Sequence, residues 1–237
     1  MCIYPKMDLT LDQLILYQLL LRSSMGKEIG LYHGKMGLIL FFAHYFRHSG
    51  LKVYDDTAGE LMDELKKYIH TEMPVGFASG LAGIGWGVEY LIQNGFTEGD
   101  KSLKSCRDID NKIMEKDLRR LTDYSLDAGL EGILHYVLAH IKGVMAQQSV
   151  LPFDETYLSD LYQAVTAIPK DVEPSENFKS LSAEYASFYE NRVAVNYTLQ
   201  LLPVIEDDKI EKDRLNGTPL GLKKGLAGYL LKTLIAN

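Results

Sequence analysis

Cysteine is scarce in this chain: its 237 residues hold two, Cys2 and Cys106, which are neither paired in a short spacing nor part of a Cys-x-x-Cys knuckle. That excludes a disulfide framework and a thiolate-only metal site, and it fits a reducing compartment. Positive charge is also in deficit, with 25 Lys and Arg against 32 Asp and Glu and a net charge of −7. No basic surplus exists to neutralise phosphates, so a nucleic-acid partner is not expected. Long hydrophobic runs are missing too. The longest N-terminal one, "LDQLILYQLLL", is too short to span a bilayer. Asp8 and Asp12 flank or interrupt it, Lys6 is the only cation nearby, and no small-residue cleavage site follows, so it is not read as a signal peptide. No membrane association and a cytoplasmic setting are the expectation. Strand signals are nearly absent.

What is present is repetition. Four segments share the pattern Gly-x-x-Gly followed by an apolar run: "YHGKMGLILFFAHYF", "ASGLAGIGWGVEYLI", "DAGLEGILHYVLAHI" and "KKGLAGYLLKTLI". Their glycine pairs are Gly34 and Gly37, Gly80 and Gly83, Gly129 and Gly132, and Gly225 and Gly228. The first glycines are 46, 49 and 96 residues apart. The last step is a doubled one, which places a decayed repeat near residue 177. The runs after the glycines are apolar nearly all round, as in helices covered on most sides. Between them lie amphipathic segments, such as the stripe Leu61, Met62, Leu65, Tyr68 and Ile69. Buried helices alternating with half-exposed ones predict an all-α fold of helical hairpins, an inner row wrapped by an outer one. Pro74, Pro152, Pro169, Pro174, Pro203 and Pro219 fall between the helical runs, as breakers do. The loop-like segment 168–177 does not interrupt the repeat phase, so residues 1–237 are read as a single domain.

The glycine pair allows three readings. A nucleotide loop of the Walker type needs a longer loop, a Lys-Ser/Thr pair and a preceding strand, and none is present. Free N–H groups at helix starts, with Lys35, Lys223 and Lys224 nearby, allow an anion-binding mouth. The third reading is architectural: glycines at the first turn let helix starts approach closely, and recurrence in four repeats favours this one.

These repeats, "LYHGKMG", "SGLAGIGWG", "YSLDAGLEGIL" and "GLAGYLL", resemble those of the lanthionine synthetase C-like (LanC-like) family, in particular its short bacterial members. The resemblance covers the chain from about residue 30 to the end and implies an α/α toroid and a link to the maturation of ribosomally made peptides. The full cyclases of that family join a cysteine thiol to a dehydrated serine or threonine, using a zinc ion held by a Trp-Cys-x-Gly and a Cys-His-Gly motif. Here the two positions before each first glycine are Tyr32-His33, Ala78-Ser79, Asp127-Ala128 and Lys223-Lys224, with no cysteine among them. His33 matches the family's histidine slot but lies in the first repeat, and the family's aspartate aligns with Ser125, two residues before Asp127. Neither a metal nor another cofactor is therefore expected. The chain has room for about five helix pairs where the family closes its ring with about seven, so an incomplete or open ring is expected, completed by a partner or a second copy.

The candidate catalytic residues are His33, Asp127 and Glu89. The candidate ligand-binding residues are Tyr32, His33, Lys35, Trp86, Glu89, Asp127 and Glu131. Each has a plainer alternative. For His33 the alternative is a histidine satisfied beside a helix start, for Trp86 and Glu89 it is core and rim of the second inner helix, and for Glu131 with His135 it is a buried pair rather than metal ligands. The leading expectation is a non-catalytic LanC-like accessory protein that holds a precursor peptide or a peptide-modifying enzyme. The alternatives are a cavity enzyme doing acid–base chemistry on a peptide or saccharide, a residual lanthionine-type cyclase, and a structural subunit that docks a partner protein.

Overall fold

The computed structural model describes residues 9–69, 73–97, 102–147, 150–169, 172–207 and 209–235. These contain nine α-helices and no strand: α1 (Leu11–Arg22), α2 (Lys35–Ser49), α3 (Lys52–Lys66), α4 (Leu81–Gln93), α5 (Ser102–Met114), α6 (Leu130–Ala146), α7 (Glu155–Thr166), α8 (Glu176–Asn191) and α9 (Leu226–Ile235). Three short 3-10 turns lie at Leu118–Arg120, Leu202–Val204 and Lys212–Gly217. No helix among the described residues is long and apolar enough to cross a membrane.

The glycine-led runs form the inner helices. In α4 and α6 almost every residue of the first three turns is buried. The outer helices bury one stripe each: Tyr54, Leu61 and Leu65 in α3, and Tyr157, Leu158, Leu161 and Val165 in α7. The sequence stripe of α3 is longer than the structural one. The helix ends at Lys66, which leaves Tyr68 exposed beyond it. The inner helices pack in the order α9, α2, α4, α6, α8, and α1 packs against α9 on the outside. This arrangement is an α/α toroid with five inner positions. The decayed repeat is α8, whose second residue, Asn177, stands where the repeat phase places a glycine.

Two kinds of helix start recur, and α3, which begins on Leu51 without a side-chain cap, belongs to neither. The outer helices α1 and α7 and the decayed α8 carry side-chain caps, from Thr10, Asp154 and Ser175. The caps of α2, α4 and α6 are glycines with no side-chain hydrogen bond. The leading N–H groups of these helices and of α9 are taken up by the preceding loop, which folds back over the first turn. Lys35, Leu81, Leu130 and Leu226 donate to the carbonyls of Glu28, Pro74, Asp123 and Pro219. Met36, Ala82 and Ala227 donate to Ile29, Val75 and Leu220. These donors are therefore not free for an anion, which weighs against an anion mouth at these helix starts. Lys35 itself is turned away, buried and paired with Glu64 of α3 at 2.7 Å.

Candidate functional site

The loops before the inner helices join into a hub through their backbones. Leu222 and Lys223 donate to the carbonyl of Tyr32 (2.7 and 3.1 Å), Tyr32 donates to Ala78 (2.9 Å), and Ala78 donates to Asp127 (3.0 Å). Tyr32, Ala78, Asp127 and Lys223 each stand two residues before a first glycine, so one register position links four repeats. The contact requires a second glycine four residues before the first. A side chain at Gly30 would strike the backbone of Ser79, one at Gly76 that of Asp127 and Ala128, and one at Gly221 that of Tyr32 and His33. The corresponding position in the third loop is Ser125, which is exposed. The series ends there because the next inner helix, α8, starts on a serine cap rather than a glycine loop.

Side chains at the hub form a charged cluster. The Lys223 ammonium lies 4.3 Å from the ring centre of Tyr32, 3.4 Å from Asp127 and 3.6 Å from Glu206. Burial, followed by the charge of Asp127, pushes the Tyr32 phenol well above its usual range. His33 is exposed beside this cluster.

The space between α4, α6 and α8 is crossed by the extended segment after α8. Tyr197 of that segment is buried, and its hydroxyl meets both Trp86 Nε1 (2.8 Å) and His135 Nδ1 (2.7 Å). Lys142 donates to the Tyr197 carbonyl at 2.6 Å. The Asn177 amide donates to Glu131 (2.7 Å) and to His135 Nε2 (3.0 Å). That bond assigns the imidazole proton to Nδ1, which then donates to Tyr197. Burial holds His135 down at about 4, against a smaller upward pull from Glu131. Next to this network is a cavity of about 440 Å³, lined among others by Phe77, Trp86, His135, Asn177, Gln200 and Tyr197.

Glu131 does structural work at the decayed repeat. Its buried carboxylate accepts from Ser175 Oγ (2.8 Å) and Asn177, both at the start of α8. An acid at a helix N-terminus also complements the helix dipole. It thus ties α6 to a helix that lacks the glycine loop.

A second polar group is enclosed between α4, α5 and α6. His140 bonds Glu89 Oε1 through Nδ1 (2.8 Å) and Asp110 Oδ2 through Nε2 (3.0 Å). Tyr136 donates to Asp110 (2.6 Å), Gln93 donates to Glu89 Oε2 (2.7 Å), and the Cys106 thiol is 3.7 Å from Glu89 Oε1. Burial works against the imidazolium, but hydrogen bonds and charge from the two carboxylates prevail and hold His140 up at about 9. Burial and the same carboxylates push the Cys106 thiol well up.

An α/α toroid whose inner helices start on hydrogen-bonded glycine loops defines the class of this protein. The family model "lanthionine synthetase C-like protein" matches residues 27–193, and the chain belongs to that family. The match stops short of the fourth glycine loop, which the bonds to Tyr32 nevertheless place in the same hub. No curated protein matches the chain.

The family's cyclases imply a zinc ion, and the residues at the hub do not fit one. The positions that would supply its ligands hold Tyr32, His33, Asp127 and Lys223, without a thiol, and the Lys223 ammonium already pairs with the one carboxylate among them. No step is derived through that metal.

The expected site residues are therefore distributed over several places. Tyr32, His33 and Asp127 meet at the hub, Trp86 lines the cavity, and Glu131 holds the Ser175 and Asn177 side chains at the start of α8. Glu89 does not share a surface with Trp86; it is fully buried against α5 and α6. His33, Asp127 and Glu89 do not converge. Sequence reasoning missed Tyr197, Asn177, Asp110 and His140. Only Asp110 left a local signal, since it falls on the buried stripe Cys106, Ile109, Asp110, Ile113 of an outer helix.

Proposed function

We propose that the chain is a non-catalytic LanC-like protein that binds a segment of a precursor peptide during maturation of a ribosomally made peptide, in a reducing cytoplasm. The observation that carries this reading is the cavity beside Tyr197. Its volume falls within the range of about 300–1,000 Å³ common to ligand sites. An aromatic floor of Phe77 and Trp86 suits an apolar side chain, and Asn177 and Gln200 suit the amides of a peptide backbone. The tautomer of His135 leaves the Tyr197 hydroxyl hydrogen available as a further donor. Among the described residues Glu184 is the one carboxylate lining this cavity, and glycosidase-type chemistry needs a pair.

Trp86 is the only tryptophan of the chain and lines the cavity, so its emission reports occupancy. Short synthetic peptides carrying one central Leu, Phe or Trp-free aromatic residue are expected to shift that emission saturably below about 1 mM, a weak but specific affinity. Replacing Asn177 by Ala should weaken the effect. Absence of any saturable change with these peptides would refute the binding reading. Incubation with a dehydrated, cysteine-containing precursor peptide should leave its free thiols unchanged, and their loss would establish a cyclase instead.

A further inference from the structure

We propose that Glu89, Cys106 and His140 form a structural binding site for a borderline-soft divalent cation, Zn²⁺, that pins together α4, α5 and α6. The three side chains come from three different helices, and all are fully buried. One ligand atom from each lies within 4.8 Å of the others. The edge from Cys106 Sγ to Glu89 Oε1 is 3.7 Å and that from His140 Nδ1 to Glu89 Oε1 is 2.8 Å. Zinc bonds of about 2.0–2.3 Å in tetrahedral geometry need ligand separations of roughly 3.3–3.8 Å. The first edge already has that length, and the second has to open by about half an ångström. The three side chains supply three of the four ligands, Glu89 Oε2 stays with the Gln93 amide, and a water carried in with the ion takes the fourth position.

The surroundings are those of a metal ligand set rather than of a plain ion pair. A ligating histidine normally donates its other ring N–H to a carboxylate, and His140 Nε2 faces Asp110 at 3.0 Å. Asp110 is in turn held by the Tyr136 hydroxyl, and Glu89 by the Gln93 amide, which also donates to the Ala139 carbonyl at 2.8 Å. An imidazole between two carboxylates needs no thiol. Cys106 turns that pair into a mixed N, O and S donor set, which selects zinc over calcium or magnesium.

The exchange balances. Binding removes the Nδ1 proton from His140 and the thiol proton from Cys106, both released to solvent. Two positive charges enter as two leave, so the net charge of the interior is unchanged. The cation itself drives deprotonation of the coordinating thiol. Because the three helices enclose the site, the ion enters as the chain folds.

The test uses the full chain, unfolded in denaturant with a chelator and refolded with or without zinc. One equivalent of zinc should remain after gel filtration, and the zinc-refolded protein should melt higher than the metal-free one. Refolding with Co²⁺ should give a thiolate-to-cobalt charge-transfer band. Cys106→Ala should lose the band and the bound ion while keeping its helical circular dichroism, and His33→Ala should keep both. Wild-type protein that retains no zinc and melts identically with and without it overturns the proposal, whatever the variants do. Zinc lost on His33→Ala but kept on Cys106→Ala would move the ion to the hub, overturning this proposal and the non-catalytic reading together. Failure of the peptide titration alone would leave this site unaffected.

Discussion

The hub makes a sharp demand at Gly221. A Cβ added there would sit 2.6 Å from the Tyr32 carbonyl oxygen and 2.9 Å from the His33 Cα. Both are backbone atoms, so no flexible side chain can yield. Relief requires separating the two loops by several tenths of an ångström, against the hydrogen bonds from Leu222 (2.7 Å) and Lys223 (3.1 Å) to that same carbonyl. Overpacking in a well-packed place costs about 1–3 kcal/mol, and a backbone-on-backbone clash belongs at the upper end. Weakening the two bonds adds to it, at about 1 kcal/mol for each bond lost. Gly221→Ala is therefore expected to cost about 3 kcal/mol or more. At about 2–4 °C per kcal/mol for a chain of this length, the melting temperature should fall by about 6–12 °C. The control is Gly59→Ala in the middle of α3, where a Cβ would meet nothing within 4 Å. There the gain in helix propensity should stabilise by about 0.5–1 kcal/mol. Thermal and urea unfolding of both variants give the comparison. A Gly221→Ala protein as stable as wild type would refute the hub as described and would detach α9 from the ring.

Two further predictions concern the decayed repeat and the interior. Glu131→Ala strips Ser175 and Asn177 of a shared buried acceptor and should destabilise by about 2–3 kcal/mol in urea titrations, whereas Glu131→Gln, which keeps one acceptor oxygen, should cost less than half of that. His135 should make the fold acid-sensitive. Its folded pKa of about 4 lies below the ordinary 6.5, so above pH 6.5 both states are neutral and it contributes nothing. As pH falls, the unfolded chain takes the proton first and stability is lost, by about 2 kcal/mol at pH 5, levelling off below pH 4. His135→Gln should flatten that part of the pH profile. An unchanged difference between pH 7 and pH 5 would show that this imidazole is not held neutral.

The sequence by itself determined the architecture, because the constraints that build the toroid are local and repeated. An all-round apolar run after a glycine pair specifies a covered helix, and a one-sided stripe specifies an outer one. Their phase sets the order, including the decayed position that α8 fills. It also determined that a thiol is missing from the positions before the first glycines.

Only the tertiary structure decided what individual side chains do. The four loop positions in the hub share a register but lie 46 to 96 residues apart, and nothing local says that their backbones bond in series. The glycine at positions 30, 76 and 221 is legible as a further recurrent spacing within this one chain. Its meaning, close approach to the next loop, follows only from the contact, and so does the exemption of Ser125. Glu89 illustrates the limit. Three residues after Trp86, it lies about 60° from it around α4, and packing against α5 and α6 places one beside the cavity and the other among Cys106, Asp110 and His140. Which polar groups meet inside a protein depends on packing between helices, where a turn of roughly 100° per residue separates neighbours in sequence and burial forces distant ones together.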